Sequence, residues 1–433
     1  MSALARYFHL QGKRVSGYDR SSGEITDALE AAGMAVHFDE NMDRAPKDAE
    51  LVIYTPAVPK DHKELIYYQQ NNYTVLKRSE VLQMLTENAF TIAVAGTHGK
   101  TTVTSMIAHI LKDTEYDCTA FLGGICMNFN SNYVEGREDV MVVEADEFDR
   151  SFLRLNPDIA VITAIDPDHL DIYGNMEELE NNFLQFTTNV KPGGKVLIKE
   201  GLGIFYKIKN TKAHTYSLKS ETAGARSENM RIEDGQFVFD YVGFGVRVRD
   251  IQLKYPGIHN VENAVAAISV GKLLQIADEP LRHAITTFKG IHRRFEYILN
   301  LEDIVFIDDY AHHPAEISAF LNSVRMLYPN KKITAVFQPH LFTRTRDFAD
   351  GFAKSLELAD EVVLLDIYPA RELPIEGVTS EIILNKMNKR EKQLVRTEYL
   401  IETLKRLEPE VLLTIGAGDI DKLVKPIKEA FEK

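Results

Sequence analysis

Cysteine is scarce in this chain, with two among 433 residues, Cys118 and Cys126. They form no CxxC pair and nothing else suggests zinc or a disulfide framework, so they read as two small half-buried hydrophobes in a reducing compartment. Long apolar runs are missing as well. No stretch reaches the roughly 18 residues of a membrane-spanning helix. The opening MSALARYFHLQGKR has no basic segment followed by an apolar one, so no secretory signal is expected. Positive charge is in deficit: 50 Lys and Arg stand against 64 Asp and Glu, a net charge of -14. That argues against an extended nucleic-acid partner but leaves room for a local anion pocket. Repeats and low-complexity segments are also absent. The expectation is a cytoplasmic protein, monomer or homodimer, that acts on small molecules without nucleic acid or membrane.

What is present is enough apolar material, 45% of residues, for several cores. A chain of this length suggests about three domains. The stretch around which it is organised is TIAVAGTHGKTTVT, Thr91 to Thr104. An apolar run (Phe90, Ile92, Val94) enters a turn made of Gly96, Thr97, His98, Gly99, Lys100, Thr101 and Thr102. A helical pattern then leaves it, with Met106, Ile107, Ile110 and Leu111 on one face. Strand, glycine turn and helix are the context of a phosphate-binding loop. Gly96 and Gly99 let the backbone approach a phosphate, and the helix N-terminus faces the anion. Lys100 suits the β/γ oxygens and a Thr hydroxyl suits Mg²⁺. The spacing departs from the common pattern, because Val94 stands where its first glycine falls. A plain glycine-rich strand-to-helix turn with a surface lysine is the alternative.

Residues 1–87 read as small strand–helix units. Helical spacing at Ala3, Leu4, Tyr7, Phe8 and Leu10 stops at Gly12, strands follow at Val15–Asp19 and Leu51–Tyr54, and a helix covers Ile25–Ala32. Alternation of this kind implies a parallel sheet with ligands at strand C-termini. Asp19 there is either a ribose contact or a solvated turn acid.

Residues 88–290 are built on the phosphate loop. A strand at Asp139–Val143 delivers EADEFD, and one at Ile159–Ile165 delivers DPDHLD. Acids at strand ends downstream of a phosphate loop fit a Mg·ATP site, with Glu144 the foremost ligand, or else they are turn acids. His169 is an uncertain ligand on chemistry alone, because imidazole is a soft partner for Mg²⁺. Residues 195–255 read as an antiparallel insertion with glycine turns. Gly257 opens a helix through Leu274, on which Asn260 and Asn263 either meet an adenine edge or cap the helix.

Residues 291–433 alternate again, with strands at Val305–Asp308, Ile333–Phe337, Val362–Leu365 and Val411–Ile415 and a helix at Ile317–Leu327. Two polar loops follow strands: DDYAHHP from Asp308, and QPHLFTRTR from Gln338. Their clustered His and Arg residues point to a site for a carboxylate and an amine, since Arg binds carboxylates in bidentate fashion.

Taken together, AGTHGKTT, EADEFDRSF, DPDHLDIYG, HNVENAVAA, HRRFE, DDYAHHPAEI, FQPHLFTRTRDF and GAGDI run from residue 95 to the C-terminal end and resemble the Mur ligases, ATP-dependent amide-forming enzymes of peptidoglycan synthesis. The resemblance implies an α/β fold of three domains, each a mainly parallel sheet flanked by helices. These are a Rossmann-like UDP-substrate domain (1–87), a central P-loop ATPase-like domain (88–290) and a Rossmann-like amino-acid domain (291–433). It implies ATP and Mg²⁺, with Lys100, Glu144 and His169 catalytic, and Thr101, Glu144 and His169 around the metal. Asn260, Asn263, Arg294 and Asp309 complete the nucleotide site. Tyr310, His312, His340, Arg344 and Arg346 serve the amino acid. The implied substrates are UDP-N-acetylmuramate and L-alanine, with a preformed tripeptide as the alternative to alanine, and the amine's base is His169 or His312.

Three departures accompany the resemblance. Relatives open with a strand and a GIGGIGM-type turn that cradles the UDP diphosphate, and this sequence begins at the Met of that turn. UDP-sugar binding is therefore an open expectation, with a truncated or late-assigned start, or an impaired ATP-binding protein, as the other outcomes. Leu341 stands where alanine-adding relatives often carry a basic residue, which leaves more carboxylate work to Arg344 or Arg346. Phe183 stands where later-acting members carry a carbamylated lysine.

Overall fold

The computed structural model describes residues 1–137, 139–166, 173–209, 211–370 and 372–432. The chain divides into two compact units. One comprises Met1–Glu228, Asp240–Ile251 and Glu262–Phe288; the other comprises Asn229–Phe239, Gln252–Val261 and Lys289–Lys433.

The first unit opens with α1 (Ser2–Leu10), β1 (Ser16–Tyr18), α2 (Glu24–Ala31), β2 (Ala35–His37), β3 (Val52–Tyr54), α3 (Lys63–Gln70), β4 (Val75–Lys77) and α4 (Arg78–Thr86). The strands pair in parallel, as the alternation implies, but as two separate couples, β1–β2 and β3–β4, rather than one sheet. Each strand has three residues, and β1 leaves Ser16 and Gly17 exposed, so little apolar surface is available to join the couples. Asp19 is exposed and accepts the Ser21 N–H at 3.3 Å, a solvated turn acid. From α1, Ala3, Leu4 and Tyr7 enter the same core as Phe121 and Tyr133.

The large sheet holds β5 (Phe90–Ala95), β6 (Thr119–Cys126), β7 (Ser131–Val134), β8 (Val140–Glu144), β9 (Ile159–Ile162), β10 (Lys195–Lys199), β11 (Lys212–Ser217), β12 (Ala225–Glu233), β13 (Gln236–Gly243) and β14 (Val246–Leu253), in the order β14-β13-β12-β11-β10-β9-β5-β8-β6-β7. β5 lies between β8 and β9, parallel to both, and is buried from Thr91 to Ala95. A near-continuous apolar strand is what a parallel sheet covered on both faces requires. The helices α5 (Lys100–Asp113) and α6 (Met176–Thr188) flank it. The antiparallel reading of residues 195–255 fails at its start: β10 and β11 pair in parallel with each other, and β10 with β9. The 3₁₀ turn Gly203–Lys207 makes the crossover that parallel strands need, which the glycine count alone did not reveal. Phe183 of α6 is fully buried, its ring 5.1 Å from that of Phe152. It is a core residue, and its place among the packed rings says nothing about a carbamylated lysine. Both cysteines are fully buried, and burial lifts their thiols to about 12 for Cys118 and about 11 for Cys126, which makes them inert.

The helices α7 (Ile258–Leu273) and α8 (Asp278–Thr287) follow. The second unit's own sheet is made of β15 (Glu296–Asn300), β16 (Val305–Asp309), β17 (Ile333–Phe337), β18 (Glu361–Leu364), β19 (Lys392–Leu394) and β20 (Val411–Ile415). Its order is β15-β16-β20-β17-β18-β19, parallel throughout except for the β15–β16 pair. Around it lie α9 (Pro314–Leu327), α10 (Phe342–Asp347), α11 (Ala349–Leu356), α12 (Glu381–Lys386), α13 (Leu400–Leu407) and α14 (Asp421–Phe431). Phe306, Val336, Val363 and Leu412 from the strands meet Leu400, Leu404, Ile420 and Ile427 in one core. Burying each such side chain stabilises the unit by about 1.5–3 kcal/mol. No helix among the described residues is long and apolar enough to cross a membrane.

Candidate active site

The turn after β5 has the backbone a phosphate loop needs. Gly96 has φ +140° and Gly99, the residue before α5, has φ +81°, both in the region that favours glycine. A Cβ on Gly96 would collide with the Thr163 side chain and stand 2.8 Å from Ala164 N, and one on Gly99 would stand 3.0 Å from Asn263 Oδ1. Thr163, just past β9, straps the turn from behind. Its N–H donates to Ala95 O at 3.0 Å and its hydroxyl donates to His98 O. Thr97 adds two bonds, its N–H to Ala164 O at 3.0 Å and its hydroxyl accepting the Asp166 N–H at 3.0 Å. His98 Nε2 lies 3.7 Å from Asp166 Oδ2. Thr101 and Thr102 sit buried in the first turn of α5.

Lys100 Nζ donates to Gly96 O at 2.6 Å and pairs with Glu147 at 2.9 Å (Oε1) and 2.7 Å (Oε2). Burial works against its charge, but the carboxylates of Glu147, Asp146 and Glu144 hold its pKa above the ordinary lysine value. In Glu147 the order is reversed, and burial outweighs the lysine and lifts the carboxyl above the usual range. Three acids around one lysine leave a local surplus of negative charge, the setting in which a cation is welcome. Glu144, at the end of β8, lies against Gly123 of β6 and accepts its N–H at 3.0 Å. A Cβ on Gly123 would stand inside the Glu144 carboxylate, so the cradle requires glycine. A carboxylate and a hydroxyl such as that of Thr101 are hard oxygen donors of the kind Mg²⁺ takes, and Mg²⁺ keeps several waters and needs few protein ligands. Among the described residues no group of three or more His, Cys, Asp or Glu side chains forms a metal cage. His169, the third expected ligand, lies outside the described residues.

The two asparagines share α7. Asn260 is buried and donates its amide to Pro256 O at 2.6 Å, which serves the helix entrance, whereas Asn263 is the one beside Gly99.

In the second unit the polar loops again follow strands. Asp309, the last residue of β16, accepts the N–H of Phe295 at 2.7 Å and of Ala311 at 2.8 Å. Burial lifts its pKa to about 7, against the pull of those two N–H groups and of Arg294. Its oxygens thus shape the turn that carries Arg293 and Arg294. Arg293 pairs with Asp308 at 3.1 Å, and both guanidinium groups lie over the Tyr310 ring, at 5.3 Å for Arg293 and 5.7 Å for Arg294. His313 caps α9, and Glu316 accepts the N–H of His312 at 3.0 Å and of His313 at 3.2 Å. His312 bonds through Nδ1 to Tyr310 O at 3.0 Å, and burial lowers its pKa below that of a free histidine. Its ring centroid is 6.2 Å from that of His340, which stacks on Tyr368 at 5.8 Å. Arg344 acts electrostatically on His312. Arg346 differs, being exposed and paired with its neighbour Asp347 at 2.7 Å. Tyr310, His312, His340 and Arg344 therefore form one neighbourhood, and Arg346 stands outside it.

Gly123, Thr163, Glu147 as a partner of Lys100, and Tyr368 were not singled out as site residues from the sequence. A glycine pair inside the strand TAFLGGIC is the one local signal that pointed to any of them.

Comparison with known proteins places this architecture. Residues 1–89 match the model of the Mur ligase family catalytic domain, 94–271 the Mur ligase middle domain and 293–420 the Mur ligase glutamate ligase domain. The chain is 47% identical over 441 residues to the UDP-N-acetylmuramate–L-alanine ligase of Parabacteroides distasonis, covering 100% of this chain and 95% of that protein. The crystal structure of the UDP-N-acetylmuramate–alanine ligase of Thermotoga maritima superposes with a TM-score of 0.85 at 30% identity, covering 100% of this chain and 96% of that one. A murein peptide ligase from Psychrobacter arcticus shares the fold, with a TM-score of 0.71 at 22% identity over 99% of this chain and 96% of that one. The chain belongs to the Mur ligase family. It is accordingly an ATP-dependent ligase, an enzyme that makes a bond at the expense of a nucleotide phosphate.

Proposed function

We propose that this enzyme joins L-alanine to UDP-N-acetylmuramate in peptidoglycan synthesis. The observation that carries the reading is the full-length similarity to a ligase of that name, 47% identical across 100% of this chain. Residues 1–87 form the UDP-substrate domain, 88–290 the ATP domain and 291–433 the amino-acid domain. The enzyme works in the cytoplasm on small molecules, as a monomer or homodimer.

The chemistry follows from the residues. A muramoyl carboxylate oxygen attacks the γ-phosphorus of ATP, the bond to the β-bridging oxygen breaks, and ADP leaves an acyl phosphate behind. Phosphoryl transfer needs alignment and charge neutralisation more than covalent help. The loop from Gly96 to Thr102 presents its amides, and Lys100 meets the β/γ oxygens. Thr101 and Glu144 hold Mg²⁺, with His169 as the third ligand, and the metal when bound neutralises phosphate charge. Asn263 lies on the nucleotide side, and Asn260 supports the helix that carries it. Arg294 faces the nucleotide, and Asp309 sets the turn that presents it. Arg344 takes the alanine carboxylate in a pocket lined by Tyr310, His312 and His340. The neutral amine then attacks the acyl carbonyl, phosphate departs, and the ammonium proton passes to a base. His312 suits that role, because its lowered pKa keeps it neutral and able to accept a proton.

The test is formation of UDP-N-acetylmuramoyl-L-alanine from Mg·ATP and both substrates, with L-Ala-γ-D-Glu-diaminopimelate as competitor. Preference for alanine is the expected result, and preference for the tripeptide would replace this reading with that of a recycling ligase.

A further inference from the structure

Thr163, just past β9, is 5% exposed and meets the phosphate loop through both its main chain and its hydroxyl. Its N–H donates to Ala95 O at 3.0 Å. Its hydroxyl carries one hydrogen and has two carbonyls in reach, Ala95 O at 3.2 Å and His98 O, the nearer of the two. Ala95 O is already served by the main chain, so the hydroxyl hydrogen goes to His98 O. A β-branched side chain is stiff about its first torsion, which holds the hydroxyl in that direction. No peptide bond among the described residues is cis. The C=O of His98 and the N–H of Gly99 belong to one planar trans unit and therefore point in opposite directions. The bond to Thr163 draws the carbonyl behind the turn and sends the Gly99 N–H to the other side. Gly99 stands directly before α5, whose first N–H groups have no partner within the helix.

We infer that Thr163 is a positioning residue for the nucleotide: through His98 O it aims the Gly99 N–H, beside the first amides of α5, at a phosphate oxygen. Without the hydroxyl, His98 O loses this tether and the peptide unit between His98 and Gly99 gains freedom to rotate. Gly99 offers little resistance, because glycine accepts either sign of φ. A rotated unit turns its carbonyl towards the phosphate in place of its N–H, and a carbonyl oxygen repels an oxyanion. Donors fixed in advance are what such a site depends on. The inference rests on the nucleotide site proposed above and deepens it. The amino acid is assigned to other loops, so its KM serves as the internal control.

The experiment is calorimetric titration of the full chain with Mg·ADP, in wild type, Thr163→Val, Thr163→Ala and Thr163→Ser, beside steady-state kinetics. Thr163→Val keeps the shape, loses the hydrogen bond and raises the dissociation constant about tenfold. Thr163→Ala raises it in the same direction without setting a methyl group against His98 O, and decides the matter if the valine variant does not fold. Thr163→Ser keeps the donor on a less restricted side chain and stays within about threefold of wild type. The KM for ATP rises with the dissociation constant, while the KM for L-alanine stays within about twofold. Wild-type affinity in Thr163→Ala overturns the proposal. A serine variant as weak as the alanine one overturns it too, because the methyl group and not the hydroxyl then matters. A parallel rise of both KM values with a lowered thermal midpoint also overturns it, since Thr163 then only supports the fold. If wild type itself does not bind Mg·ADP, the ATP-dependent reading fails, which is a separate result from unaltered affinity in the variants.

Discussion

Two strand-end loops carry the chemistry proposed for this chain, and their side chains differ in charge. After β5 the donors are backbone amides and a single lysine, ringed by Glu144, Asp146 and Glu147. After β16 and β17 the side chains are Tyr310, His312, His340 and Arg344, with Glu316 as the acid that acts on His312. Both loops sit at the C-terminal ends of parallel strands, so topology does not explain the difference. The first suits a polyanion that arrives with a metal, since acids favour a cation and a glycine turn at a helix N-terminus favours an anion. The second suits a small carboxylate whose neighbouring amine must lose a proton. The lesson is that a shared strand–loop–helix plan fixes where a ligand goes, and the charge of a few side chains fixes which one.

The strongest way to break the comparison is Lys100→Ala. It removes the one cation of the first loop, and kcat should fall at least about a hundredfold. The buried Glu147 would lose its lysine partner, so the thermal midpoint should drop as well, by the equivalent of about 3 kcal/mol. Full turnover in stopped assays would remove Lys100 from the mechanism. In the second loop, Arg344→Ala should raise the KM for L-alanine about tenfold or more. Arg346→Ala, whose guanidinium already faces Asp347, should leave that KM within about twofold. Equal effects from the two arginines would erase the distinction between them. Gly123→Ala sharpens the acid side of the first loop. The new methyl displaces Glu144, and the Mg²⁺ concentration at half-maximal activity should rise about tenfold; an unaltered metal titration would place the metal elsewhere.

A pH slope in stability is expected in the second unit. Asp309 has a folded pKa raised to about 7, above that of an unfolded aspartate. The folded state therefore holds more protons between the two values, and this contribution is complete below the unfolded pKa and lost as pH rises through about 7. It is at most about 4 kcal/mol. Asp309→Asn should flatten the fall in stability between about pH 4 and 7 relative to wild type, as followed by denaturant melts.

Much of this is legible in the sequence. The β5–loop–α5 unit declared itself through an apolar strand, two glycines and a helical pattern, all local features. The strands that deliver Glu144 and Asp309 were visible as apolar runs ending in acids. What was not legible depends on neighbours that the sequence keeps apart. Thr163 straps the loop from 65 residues away from His98, and nothing in its own surroundings marks it. Glu147 reads as one more acid in EADEFD until Lys100 lies against it, 47 positions distant. The parallel placement of β10 and β11 was hidden because glycine turns look alike in hairpins and crossovers. Arg344 and Arg346 are equivalent on paper, and only the course of α10 separates a half-buried guanidinium from an exposed one.

The most direct test of the ligase account follows the carboxylate oxygen. UDP-N-acetylmuramate labelled with ¹⁸O in its lactyl carboxylate, incubated with Mg·ATP and L-alanine, should yield inorganic phosphate carrying one labelled oxygen, beside unlabelled ADP. Label in AMP, or unlabelled phosphate alongside product amide, would contradict activation through an acyl phosphate.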